Sequence, residues 1–139
     1  MSKQSSSPAK AVGILAGVIG GVCGYLLVSH MMHNGFSHIT VEKKIEKMVV
    51  ELNKQLPMQV DEVTRWDRAE AGPGKSYSNI YTLSLDQLSK EQEQMLKEGV
   101  THKLLALPET KAVLDQGVTI WFKYYDASGK LLLEFPVSQ

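Results

Sequence analysis

The sequence predicts an α+β fold: an N-terminal transmembrane helix, then a two-layer α-β-β-α-β-β domain with an antiparallel four-stranded sheet. Three observations carry this expectation. Residues 11–28, AVGILAGVIGGVCGYLLV, contain no charge. Segments 75–85 and 118–125 alternate side chains with the two-residue period of a strand. Segments starting at Thr40 and Ser89 open with capping residues and continue with apolar positions at helical spacing.

The totals narrow the function classes. A chain of 139 residues allows one modest core beyond the apolar stretch. Lys and Arg number 15 and so do Asp and Glu, so the net charge is zero. No basic field exists to attract nucleic acid, and that class is set aside. Cys23 is the only cysteine and lies inside the apolar stretch, so no intramolecular disulfide and no Cys-based metal site can form.

Eighteen helical residues span about 27 Å, close to the hydrocarbon thickness of a bilayer. The span is extended to residues 11–32, after a polar tail (1–10) and before a linker (33–39) and a soluble domain (40–139). A cleaved signal peptide is the rival reading. The segment Ser29-His30-Met31-Met32 is a poor cleavage site, which favours an uncleaved signal-anchor. Lys3 and Lys10 precede the span, and the later Lys43, Lys44 and Lys47 lie farther from it. This bias puts the tail inside and the domain outside the inner membrane, in the periplasm. Within the span Gly13, Gly17 and Gly21 form one small-residue row, and Ala16, Gly20 and Gly24 form another. Two such rows, a glycine zipper, let helices approach closely in lipid. The expected partner is a second copy of the chain or another membrane subunit.

The soluble elements follow in order. Thr40 is an N-cap, and Ile45, Met48, Val49, Leu52 and Leu56 form an apolar stripe ended by Pro57. Residues 59–67, rich in β-branched side chains, and residues 75–85 read as two strands joined by Ala71-Gly72-Pro73-Gly74. Ser89-Lys90-Glu91-Gln92 is a capping box. Met95, Leu96, Leu104 and Leu107 are the stripe of the helix it opens, and residues 108–116 are a further turn or short helix. Residues 118–125 and 130–137 form a hairpin about Asp126-Ala127-Ser128-Gly129, with Pro136 suited to the end of an edge strand.

Motifs for chemistry are sparse. Residues 69–76, AEAGPGKS, fall one glycine short of a phosphate-binding loop and lead into a strand pattern, so no nucleotide is expected. His30-x-x-His33, with His38 and two methionines, could ligate a metal, but an interfacial linker explains it more simply. His102 reads as a solvated helix position. Asp61, Glu62, Asp67 and Glu70 alternate with Arg65 and Arg68 around Trp66, a pattern of cross-strand ion pairs rather than of an acid–base couple. No catalytic constellation emerges, and neither an enzyme nor a cofactor is expected. The aromatic residues are more informative. If Trp66, Trp121 and Tyr125 share one outer sheet face, they make an amphipathic platform for a protein or glycan; ordinary strand composition is the alternative.

Several short runs carry a likeness: Leu52-Asn53-Lys54-Gln55-Leu56-Pro57-Met58 with Val60-Asp61 and Thr64-Arg65, Ala71-Gly72-Pro73-Gly74 with Tyr81-Thr82-Leu83, and Gly117-Val118 with Tyr124-Tyr125-Asp126 and Gly129. On these the chain resembles a poorly characterised group of small bacterial envelope proteins, over most of residues 45–137. The resemblance implies an envelope location and a small α+β domain, and no activity. The late cysteine pair common in that group is missing here. The resulting expectation is a membrane-anchored binding or scaffolding protein that displays an extracytoplasmic interaction domain. The alternative is a signal-cleaved periplasmic inhibitor or immunity-type protein.

Overall fold

The computed structural model describes residues 39–139. Among them are three helices and five strands: α1 (Val41–Asn53), β1 (Met58–Gln59), β2 (Thr64–Ala71), β3 (Ser76–Leu83), α2 (Lys90–Leu105), α3 (Pro108–Leu114), β4 (Thr119–Tyr125) and β5 (Leu131–Val137). Capping chemistry sets the helix starts. The Thr40 hydroxyl accepts the Lys43 amide at 3.2 Å. Ser89 and Gln92 exchange side-chain and backbone bonds at 3.1 and 2.8 Å, a reciprocal box. Pro108 opens α3, where its missing N–H costs nothing.

The sheet runs β1-β2-β3-β4-β5. Neighbours are antiparallel except β3 and β4, which are parallel. The expected four-stranded antiparallel sheet is therefore corrected to a five-stranded mixed one, for two physical reasons. The connection from β3 to β4 carries both α2 and α3. A helical crossover of that length returns the chain to the end where β3 began, which makes the next strand parallel. The β-branched run at 59–67 is also not one strand. Asp61 Oδ1 accepts the Val63 amide at 2.9 Å, and the Val60 amide donates to Thr64 at 2.9 Å. The chain reverses there, so Met58 pairs with Trp66 and Gln59 with Arg65. Among the described residues no helix is long and apolar enough to cross a membrane, and the expected transmembrane helix is not among those residues. Residues 11–32, with the small-residue rows, lie outside the described residues, as does the histidine cluster at 30–38.

One side of the sheet carries the core. Ile45, Met48, Val49 and Leu52 of α1, Leu96, Val100 and Leu104 of α2, and Val113 and Leu114 of α3 are buried there. They cover Trp66, Tyr77, Tyr81, Leu83, Ile120, Phe122, Tyr124, Leu133, Phe135 and Val137. Met95, expected in the α2 stripe, is 46% exposed, and Val100 takes its place in the core. Rings stack across four strands: Trp66 on Tyr81 at 5.9 Å, Tyr81 on Tyr124 at 4.9 Å, and Tyr124 on Phe135 at 6.3 Å between centroids.

Two polar residues on the buried side differ in how they are satisfied. Asn53, at the end of α1, donates through Nδ2 to the Ala69 carbonyl at 2.9 Å and accepts the Ala69 amide on Oδ1 at 2.8 Å. This side chain pairs with β2 past the point where the two-residue β1 stops, as a strand would. Asn79 is 1% exposed, and neither atom of its amide has a hydrogen-bond partner. Asn53→Ala should destabilise the fold by about 2 kcal/mol, read from urea unfolding, because two buried backbone groups lose their partner. Asn79→Leu should raise stability by about 1–2 kcal/mol in the same measurement, because it removes an unsatisfied buried amide of similar size.

At the β4–β5 turn, Asp126 Oδ1 accepts the Ser128 hydroxyl at 2.7 Å and the Ser128 and Lys130 amides at 2.9 Å each. The Ser128 hydroxyl first, then the Lys130 amide, hold this exposed carboxyl below the ordinary aspartate range. A folded-state value below the unfolded one gives stability that is present at neutral pH. That stability is lost as pH falls below about 3.9 and through the folded value. Parent and Asp126→Asn should accordingly differ in denaturation midpoint at neutral pH and converge as the solution is acidified.

Candidate functional site

The helices cover one face of the sheet and leave the other open. Strand pleating sends every second side chain to the open face, where the register aligns them in three rows. Arg65, Thr82 and Tyr125 form the first row, Arg68, Ile80, Lys123 and Glu134 the second, and Glu70, Ser78, Trp121 and Pro136 the third. The pairing of β2 with β3 slips between Trp66 and Arg68. At this bulge Asp67 and Arg68 both leave the core side, while Trp66 and Ala69 on either side of them are buried.

Two clefts result. The larger, about 530 Å³, lies between the first two rows and the β4–β5 turn; its walls include Gln59, Arg65, Asp67, Arg68 and Tyr125, over Ile80 and Thr82. The smaller, about 360 Å³, lies under the β2–β3 loop and is lined by Glu70, Ser78, Trp121, Lys123 and Glu134. Ile80 is 3% exposed although no helix covers it, because the long side chains around it close over its surface.

The charges are arranged in pairs. Arg65 Nε donates to Asp67 Oδ1 at 2.5 Å, and Arg68 Nε donates to Glu70 Oε2 at 2.7 Å. Thr82 Oγ1 donates to the other Asp67 oxygen at 2.5 Å. Lys123 and Glu134 face each other across β4 and β5 at 3.8 Å. The two arginine pairs run along β2 rather than across strands, so the cross-strand pairing expected around Trp66 is corrected; the pair that does cross strands, Lys123 with Glu134, lies outside that expectation.

Of the three residues expected to form an aromatic platform, the structure brings two to the open face. Trp121 and Tyr125 are half-buried there, four residues apart on β4. Trp66 is 1% exposed and stacked on Tyr81 beneath the helices, so its place in the platform is corrected. Thr64, Trp66 and Ala69 point to the core, and the bulge beyond Trp66 lets strongly charged residues flank a buried ring. Arg65, Asp67 and Arg68, read from the sequence only as ion pairs, belong to the site, as do Ile80 and Thr82, which were not singled out. The charge alternation of Arg65, Asp67 and Arg68 was a visible signal, but the bulge that gathers them depends on pairing with β3.

The remaining motifs resolve simply. In AEAGPGKS the Gly72 amide donates to Ser76 at 2.9 Å, Gly74 has φ +64°, and Ser76 begins β3. The glycines therefore close a hairpin instead of opening a helix toward a phosphate. His102 is exposed on α2. Among the described residues no group of three His, Cys, Asp or Glu side chains could hold a metal ion.

Comparison with solved structures finds this fold elsewhere. A Pseudomonas aeruginosa protein provisionally described as secreted superposes with a TM-score of 0.61 at 10% identity, over 70% of this chain and 88% of its own. The type II secretion system pilotin AspS of Vibrio cholerae gives 0.57 at 18% identity, over 70% and 88%. The pilotin EpsS of the Vibrio vulnificus type 2 secretion system gives 0.60 at 15% identity, over 70% and 87%. At such identities the likeness is one of fold. No curated protein matches the sequence. A family model described as a domain of unknown function, DUF8479, matches residues 40–133, which takes in every helix and strand described here up to the first part of β5. The chain belongs to the DUF8479 family.

Proposed function

We propose that this chain is a non-enzymatic interaction module of the bacterial envelope that works outside the cytoplasm and holds a protein partner on the open face of its sheet. The observation that carries this reading is the pairing of Trp121 and Tyr125 with two adjacent clefts on the side no helix covers. A half-buried indole or phenol gives a partner large contact area at low entropic cost, and such rings dominate binding energy where they meet a complementary pocket. Tryptophan, tyrosine and arginine, which share this face, are residue types enriched at protein interfaces. The folds that superpose on this one include two proteins named as secretion-system pilotins and one provisionally described as secreted. That likeness supports an extracytoplasmic location and a membrane-associated assembly as the partner.

In vivo photocrosslinking with the full-length chain tests this. A photoreactive residue at Tyr125 should capture one discrete protein, whereas the same residue at Lys47 on the helix side should not. Trp121→Ala should reduce that capture and weaken the isolated complex by about 2 kcal/mol, with an unchanged circular dichroism spectrum. Alkaline phosphatase fused after Gln139 should be active, as it is only outside the cytoplasm. Capture from Lys47 but not from Tyr125, or an inactive fusion, would sink the proposal.

A further inference from the structure

The larger cleft contains two guanidinium groups whose engagement is incomplete in the same way. Arg65 and Arg68 each meet a carboxylate through Nε, at 2.5 and 2.7 Å. A guanidinium has five N–H donors in one plane, so an occupied Nε leaves the outer Nη edge able to grip a second acceptor. Both side chains are about half exposed, at 53% and 55%, and both line the cleft.

These arginines are held in place. Asp67, the partner of Arg65, is only 18% exposed, and Thr82 fixes its second oxygen. The bulge seats Arg68 opposite Ile80, and Glu70 holds its Nε. Fixing the Nε side orients each fork before any partner arrives, which lowers the ordering cost of binding. Asp126 also lines the cleft, but its carboxylate is taken up by the amides and hydroxyl of its own turn. Tyr125 supplies a ring wall and a hydroxyl, and Gln59 lies at the rim.

We infer that this cleft recognises a carboxylate of an acidic peptide segment, gripped by the outer Nη edges of Arg65 and Arg68 while its neighbouring apolar side chain lies against Tyr125. The inference rests on the open-face reading and names the partner's chemistry at that site. A peptide carboxylate fits better than a phosphate or an anionic lipid headgroup. Asp67 and Asp126 share the cleft wall, and their charges oppose a doubly charged ligand more strongly than a singly charged one.

The test follows the arginine Nε–Hε resonances of the full-length, ¹⁵N-labelled chain by NMR. The probes are a library of capped heptapeptides alternating Glu with Leu, Val or Phe, the same library with Gln for Glu, inorganic phosphate, and phosphatidylglycerol vesicles. The Glu library should shift the Arg65 and Arg68 resonances saturably and the Gln library should not. The response should fade as pH falls through about 4.3, where the glutamates protonate. Arg68→Gln should weaken Glu-library binding about tenfold. Arg68→Lys should recover it only in part, because it restores charge without the fork, and Arg65→Gln with Arg68→Gln should abolish it. The inference is overturned by no saturable shift with the Glu library, by an equal response to Gln, by a stronger response to phosphate or vesicles, or by binding that survives in the double variant. If Tyr125 crosslinks its partner equally well in the double variant, the carboxylate inference fails while the open-face reading stands. If the Glu library binds but Tyr125 captures nothing in cells, the reverse holds.

Discussion

Trp66, Tyr81, Tyr124 and Phe135 stack in a line across β2, β3, β4 and β5, and the remainder of the fold is set by that line. Each contact between neighbouring rings contributes about 0.5–1.5 kcal/mol beyond the area it buries. Its larger effect is on register. Side chains alternate faces with a period of two, so slipping any strand by one residue would expose its ring, and in β2, β4 or β5 would turn a charged residue toward the core. The ladder therefore fixes which residues appear on the opposite face. Trp121, Lys123 and Tyr125 are open because Ile120, Phe122 and Tyr124 are not.

The helices complete that asymmetry. α1 packs over β2 and β3, while α2 reaches β5, so all helical cover falls on the aromatic side. Edge protection is divided in the same economical way. β1 pairs with only two residues of β2, and the Asn53 side chain takes over at Ala69. The other edge is β5, where the exposed Pro136 withholds an N–H from any approaching strand. With the edges blunted and one face covered, the open face is what remains to meet a partner. There the bulge after Trp66 turns two successive charged residues outward and gives the larger cleft its wall.

Much of this was legible from local signals. Thr40, Ser89 with Gln92, and Pro108 mark helix starts because capping is chemistry among residues three or four apart. The alternation in 118–125 identifies β4, and Asp126 with Gly129 its turn, since hairpin geometry is short-range. The misreadings share one cause. Trp66 sits among Asp, Arg and Glu, and its face depends on the slip against β3. The direction of β4 relative to β3 depends on how α2 and α3 carry the chain across the sheet. Met58 and Gln59 form a strand only because Asp61 turns the chain back onto Arg65 and Trp66.

The sequence by itself determined the helix caps, the turns, the apolar stripes of α1 and β4, and the exclusion of a cysteine-based or strongly basic function. Each of these is a property of composition or of neighbours within a few positions. Tertiary structure decided the mixed order of the sheet, the burial of Trp66, and the meeting of Arg65 and Arg68 with Tyr125. Arg65 and Tyr125 are sixty positions apart and lie on strands separated by β3. No local period reports such a distance, so their proximity follows only from strand pairing and from the aromatic line that holds the register.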